Sequence, residues 1–132
     1  MSDSPRQRLG QFGERLAVAH LEAAGYRIIE RNFRCREGEI DVIAQRDAVL
    51  VFVEVRTRRG DAMGRAVDSL TPLKGARISA AADAYCQQRP VMPAERRIDV
   101  IAVDLSPAGR LLSLDHIENA FLGDELPALP GR

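Results

Sequence analysis

Asp41, Glu54 and Arg56 are the side chains whose types and spacing lend themselves to chemistry. Asp41 lies in GEIDVIAQ, residues 38–45, where Ile40, Val42 and Ala44 alternate with Glu39, Asp41 and Ile43, the period of a β-strand. Glu54 and Arg56 lie in VLVFVEVRT, residues 49–57, which is β-branched and apolar on both faces until its end, as a central strand is. The intervening Arg46, Asp47 and Ala48 suit a hairpin. With the turn at Asp47 and Ala48, Val49 faces Arg46, Glu54 faces Asp41 and Arg56 faces Glu39. Opposed residues have Cβ atoms about 4.5–5.5 Å apart. The register therefore predicts two carboxylates together, next to an acid–base pair, with Glu54 and Arg56 on one strand face.

Two opposed carboxylates repel and need a counter-charge. A divalent cation is one remedy, because Mg²⁺ is held by one or two carboxylates with waters and phosphate oxygens. Mn²⁺ favours the same hard oxygen ligands. Such an ion polarises a phosphodiester and lowers the pKa of a water, while a nearby cation stabilises the charge that builds on the phosphoryl oxygens. The bland alternative is that Arg56 neutralises Glu54 and Glu39 in a structural ion-pair network. Spacing alone leaves both open, since a one-residue slip would flip every side chain.

The elements that must position these residues are legible around them. Leu9, Phe12, Leu16, Leu21 and Ala24 form a broad apolar stripe at helical spacing, with Gly25 as a stop. Glu14 projects from the edge of that stripe, and His20 lies near its centre as a core histidine. Tyr26–Phe33 reads as a first strand. Residues 58–70 carry Gly60, Gly64 and several charges without a steady period, and read as a loop. Thr71 and Pro72 suit an N-cap and first helical position, opening an alanine-rich helix to about Gln88. Ile98–Leu105 and Leu111–Ile117 read as two further strands. On the latter, His116 has no evident partner. The order is α-β-β-β-α-β-β, and the long crossover helix predicts a mixed sheet with parallel pairing between the third and fourth strands.

Composition bounds the function. The chain has 132 residues, 45% apolar and 29% charged, an ordinary globular balance. No apolar run approaches the roughly 18 residues of a membrane span, and the polar start MSDSPRQRLG lacks a secretory signal's apolar stretch. The expectation is a soluble, cytoplasmic protein without a membrane partner. Cys35 and Cys86 lie far apart with no CxxC pattern, so free thiols are expected and zinc is not. Nineteen basic residues balance nineteen acidic ones. Any nucleic-acid contact must therefore come from a local patch. All the basic residues but Lys74 are arginines. Arg58, Arg59 and Arg65 on the glycine-containing loop are placed to grip a nucleic-acid backbone, or else to form a solvated charged loop. With few aromatics and no Trp, base-stacking platforms are not indicated.

The segments GQFGERLAVAHLEAAGYRIIERNF, GEIDVIA, VFVEVRTR, LTPLKGARISAAADAYC and RRIDVIAV together resemble the bacterial YraN-like family, within the PD-(D/E)XK nuclease superfamily and similar in fold to archaeal Holliday-junction resolvases. The resemblance spans most of the chain to about Val103. It implies a restriction-endonuclease-like α/β fold, a mixed sheet flanked by helices, over residues 1–120, with 121–132 an irregular tail. It also implies an Mg²⁺-dependent (or Mn²⁺-dependent) endonuclease acting on DNA, by fold analogy on branched DNA, for which a homodimer would suit the junction.

Residue by residue, the resemblance implies that Asp41 and Glu54 ligate the metal, that the Val55 carbonyl completes the site, and that Glu14 approaches it from the first helix. Glu39 supports the site or pairs with Arg56. Arg97 and Asp99 resemble a further motif, read as structural pairing or as support. Arg56 stands where the family has lysine. An arginine cannot act as a general base, its pKa staying above about 12, yet it can orient a water or stabilise phosphorane-like charge. Lys74 is either a relocated lysine or a contact to phosphate or solvent. The alternative function is a nucleic-acid-binding or adaptor protein that has lost the chemistry.

Overall fold

The computed structural model describes residues 3–60, 66–89 and 95–121. Helix α1 (Pro5–Ala23) begins where Ser4 and Gln7 cap one another: the Gln7 N–H donates to Ser4 Oγ at 3.1 Å and the Ser4 N–H to Gln7 Oε1 at 2.7 Å. This reciprocal box satisfies N–H groups that the first turn leaves unpaired. The helix ends at the expected glycine. Gly25 has φ 91°, and the Gly25 and Tyr26 N–H groups donate back to the Glu22 and Leu21 carbonyls, a left-handed cap that glycine adopts without strain.

Strands β1 (Arg27–Cys35), β2 (Gly38–Arg46) and β3 (Val49–Arg59) follow, then a short 3₁₀ turn (Ala66–Ser69), helix α2 (Pro72–Gln88), β4 (Glu95–Leu105) and β5 (Leu111–Ile117). They form one five-stranded sheet in sequential order. β3 and β4 are parallel and the other neighbours antiparallel, as the crossover helix predicts. α2 starts as expected, with Thr71 Oγ1 accepting from the Lys74 N–H at 3.1 Å.

β3 is buried on both faces because a helix covers each. Val51 and Val53 join Ala17 and Leu21 of α1, with Val42, Ile101 and Val103, in one core. Leu50 and Phe52 join Ala81, Ala82 and Tyr85 of α2 in the other.

One expectation needs correction. Arg58 and Arg59 lie on a strand rather than in a loop, because parallel pairing with β4 continues to Arg59↔Leu105. The apolar pattern stops before the ladder does. Arg65 lies outside the described residues, as do residues 122–132 of the expected tail. Among the described residues, no helix is long and apolar enough to cross a membrane.

A carboxylate pair where two strands part

The β2–β3 hairpin has the expected register, with Arg46 opposite Val49 and Val42 opposite Val53. Pairing stops there, one rung short of Asp41 and Glu54. Beyond it, a side chain replaces the backbone acceptor: the Val55 N–H donates to Asp41 Oδ2 at 2.8 Å. The N–H and C=O of a paired strand residue point to the same neighbour, so the Val55 carbonyl faces the same gap. Asp41 and Glu54 are thus brought together at a fork rather than as a rung of the ladder, close enough for the charge of Glu54 to act on Asp41.

The electrostatics follow from that position. Burial is the largest cause pushing the Asp41 carboxyl up, to about 8; the charges of Glu54 and Glu14 push the same way, and the Val55 N–H opposes them. Glu54 is only 6% exposed. Its Oε2 meets Arg56 Nη1 at 3.2 Å and Lys74 Nζ at 3.6 Å. Glu14 reaches the site from α1 and pairs with Arg31 at 3.4 Å. Glu39, expected opposite Arg56, pairs instead with Arg34 across β1 at 3.2 Å. The parting of the strands beyond Val42 removes the rung that would have joined Glu39 to Arg56.

Three clefts converge here. One, of about 320 Å³, is lined by Asp41, Glu54, Arg56, Lys74 and Arg77. A second, of about 580 Å³, shares Glu39 and Asp41 with the first and adds Glu14, Arg31 and Arg34. A third, of about 590 Å³, shares Val55 and Arg56 with the first and adds Arg6, Arg58 and Arg59. Arg59 also donates from Nε and Nη2 to the Pro107 carbonyl at 3.0 and 2.9 Å. It therefore pins the β4–β5 turn as well as lining the cleft.

Glycines set how closely the helices approach. A Cβ on Gly13 would lie 1.8 Å from Thr57 Oγ1, so α1 can rest on β3 there only without a side chain. The next residue is Glu14. A Cβ on Gly75 would lie 2.4 Å from Phe121 Cδ1, and the residue before it is Lys74. Each close approach sits beside a charged group of the site. Gly13 and Gly75 have no chemistry of their own, and only their adjacency to Glu14 and Lys74 could have flagged them in the sequence. Arg6 and Arg77 were hidden by a different cause, because their clefts are assembled from elements distant in the chain.

The donor set fits a hard divalent ion, with two oxygen ligands side by side and a backbone carbonyl on the same edge. Among the described residues no three His, Cys, Asp or Glu side chains form a cage on their own. Water and phosphate oxygens would have to complete the shell, as is usual for Mg²⁺.

Arg97 and Asp99 belong to a different assembly. Asp99 is fully buried and accepts from Arg97 Nε and Nη2, at 2.8 and 2.9 Å, and from the Asn119 N–H at 2.9 Å. Its Oδ2 also lies 2.7 Å from His116 Nε2. Arg97 donates to the Tyr26 hydroxyl at 2.6 Å, and His116 Nδ1 lies 3.1 Å from His20 Nε2. His116 therefore has partners that its sequence context did not reveal. The network ties α1, β4 and β5 together, and neither Asp99, His116 nor Tyr26 lines the clefts around Asp41.

Residues 13–103 match the uncharacterised protein family UPF0102. A UPF0102 protein of Geobacter sulfurreducens is 47% identical over 114 residues, covering 86% of this chain and 88% of its own. Another, from Syntrophus aciditrophicus, is 46% identical with the same coverage, and one from Frankia alni is 40% identical over 121 residues, covering 92% of this chain and all of its own. The matched span holds α1 from Gly13, the fork at Asp41 and Glu54, Lys74 and most of β4, so the chain belongs to the uncharacterised protein family UPF0102.

Proposed function

We propose that the protein is a metal-dependent endonuclease of the PD-(D/E)XK type that hydrolyses phosphodiester bonds in DNA. The observation that carries this reading is the meeting of a buried carboxylate, Glu54, with a half-buried one, Asp41, at a strand fork where clefts carrying Arg6, Arg56, Arg58, Lys74 and Arg77 converge. Asp41, Glu54 and the Val55 carbonyl, with Glu14 nearby, would hold Mg²⁺ or Mn²⁺. When bound, the ion supplies a polarised phosphodiester and an acidified water. The chain's own residues do the rest. Asp41 is fixed by the Val55 N–H, Glu54 is fixed between Arg56 and Lys74, and Arg58, Arg59 and Arg65 are assigned to the nucleic-acid backbone. Branched DNA is the substrate suggested by the resemblance to junction resolvases, and a two-fold dimer would address one strand with each subunit. The cytoplasm is the compartment where this substrate and free thiols at Cys35 and Cys86 coexist.

One observation favours a second reading. Arg56 is bonded to Glu54 and cannot take a proton from water. A protein that binds DNA through the same clefts without cutting it would look the same. Mg²⁺ or Mn²⁺ titrated into wild type and Asp41→Asn, followed by thermal stability and by assays on single-stranded, duplex, flap and four-way DNA, separates the two. Metal stabilisation lost in Asp41→Asn together with cleavage supports the nuclease. Binding without cleavage supports the adaptor, and cleavage appearing in Arg56→Lys would assign the loss to that position. No response to metal and no DNA binding rejects both.

A further inference from the structure

The chain's single lysine stands in the cleft that holds both carboxylates. Its position is built in two ways. The Lys74 N–H is bonded to the Thr71 cap, and the adjacent Gly75 is pressed against Phe121 with no room for a methyl group. The segment carrying Phe121 is itself anchored, the Ala120 N–H donating to the Ile98 carbonyl at 2.9 Å. The root of the Lys74 side chain is therefore set against the sheet.

The two cations beside Glu54 are not equivalent. Arg56 approaches Oε2 from the next position on the same strand face, as a planar fork. Lys74 approaches the same oxygen from the α2 wall, as a compact ammonium with three donors. Its side chain remains 39% exposed, so donors not directed at Glu54 can meet a ligand in the cleft. Lys74 also lies in the first turn of α2, where the partial positive charge of the helix end adds to its own.

We infer that Lys74, rather than Arg56, is the cation that contacts the nucleic-acid phosphate seated over Asp41 and Glu54, and that Arg56 serves to neutralise Glu54. This deepens the phosphodiester reading and rests on it for the site, but its test does not depend on cleavage. Because Lys74 is the only lysine, full-length protein labelled with ¹³C,¹⁵N-lysine gives one side-chain signal that needs no assignment. A DNA duplex titrated in the presence of Ca²⁺ should move that signal saturably, and should leave it in place in Asp41→Asn. A wild-type signal unmoved by bound duplex, or one moved equally in Asp41→Asn, overturns the inference.

Kinetics add a second arm where wild type cuts DNA. Lys74→Met should lose about 100-fold in kcat at saturating duplex, the scale of removing one donor to developing charge, with KM little changed. Arg56→Met should lose less, and Lys74→Arg should fail to restore the rate. A larger loss in Arg56→Met, or kcat and KM both unchanged in Lys74→Met, overturns it. If wild type cuts nothing, the nuclease reading falls, and the lysine signal alone upholds or rejects the phosphate contact.

Discussion

Asp41 carries two opposed demands: its Oδ2 must accept from the Val55 N–H, which favours the charged form, while burial and the neighbouring Glu54 disfavour that form. The disfavouring side is the larger, and a proton stays on the folded protein up to about pH 8. The unfolded chain releases that proton near 3.8. Between those values the folded state binds more protons, so the metal-free protein should lose stability as pH rises from about 4 to about 8 and level off above. Thermal melts across that range should show a falling midpoint that Asp41→Asn flattens. Saturating Mg²⁺ should flatten it too, because a cation supplies the missing counter-charge. A metal-free wild-type midpoint that does not fall relative to that of Asp41→Asn between pH 5 and 8 contradicts this account. Asp99 behaves oppositely. Burial pushes its carboxyl up, but hydrogen bonds from His116, Arg97 and the Asn119 N–H outweigh burial and hold it below the usual range. Its contribution is present at neutral pH and is lost only as pH falls through that depressed value. Asp99→Ala leaves Arg97 without its buried partner and should cost about 3–5 kcal/mol by chemical denaturation, while leaving metal stabilisation of the folded protein intact.

Elements were legible wherever one physical signal dominated. Thr71–Pro72, Gly25 and the Asp47–Ala48 hairpin are local turn and cap chemistry, and all three stand where the sequence places them. The ends of β3 and β4 were not, because they are set by partners rather than by hydrophobicity: parallel hydrogen bonding carries polar Arg58 and Arg59 along with β4. The same limit hid the fork. Alternation in residues 38–45 predicts an ordinary rung at Asp41, and only the replacement of a backbone acceptor by a carboxylate ends the ladder at Val42. Close helix approach is likewise invisible in periodicity, yet it decides where Glu14 stands. Gly13→Ala would drive a methyl group into Thr57, and overpacking of this kind costs about 1–3 kcal/mol. The expected result is a lower melting temperature with weaker Mg²⁺ stabilisation, partly restored by Thr57→Ala, which removes the nearest contact. Unchanged stability in Gly13→Ala would mean that α1 does not rest on β3 at this point.

At the scale of the molecule, the balance of nineteen basic and nineteen acidic residues decides how a polyanion can be held. With no net charge there is no long-range field to gather DNA, and attraction must come from cations grouped where the clefts meet. That much was readable from composition. Their grouping was not, because Arg6 and Arg77 lie 71 residues apart in the sequence and reach adjoining clefts only through folding. Local attraction has a measurable signature, since each phosphate contact contributes about −0.9 to the slope of log affinity against log salt. Arg77→Gln should make that slope shallower by about one contact. Arg27→Gln should leave it unchanged, because Arg27 pairs with Gln45 near the hairpin turn and lines none of the clefts around Asp41. Fluorescence anisotropy with a labelled duplex over a range of salt concentrations measures both. Equal slopes for wild type and Arg77→Gln would place the DNA elsewhere on the surface. A change in Arg27→Gln would mean that the attraction extends beyond the cations lining the clefts at the fork.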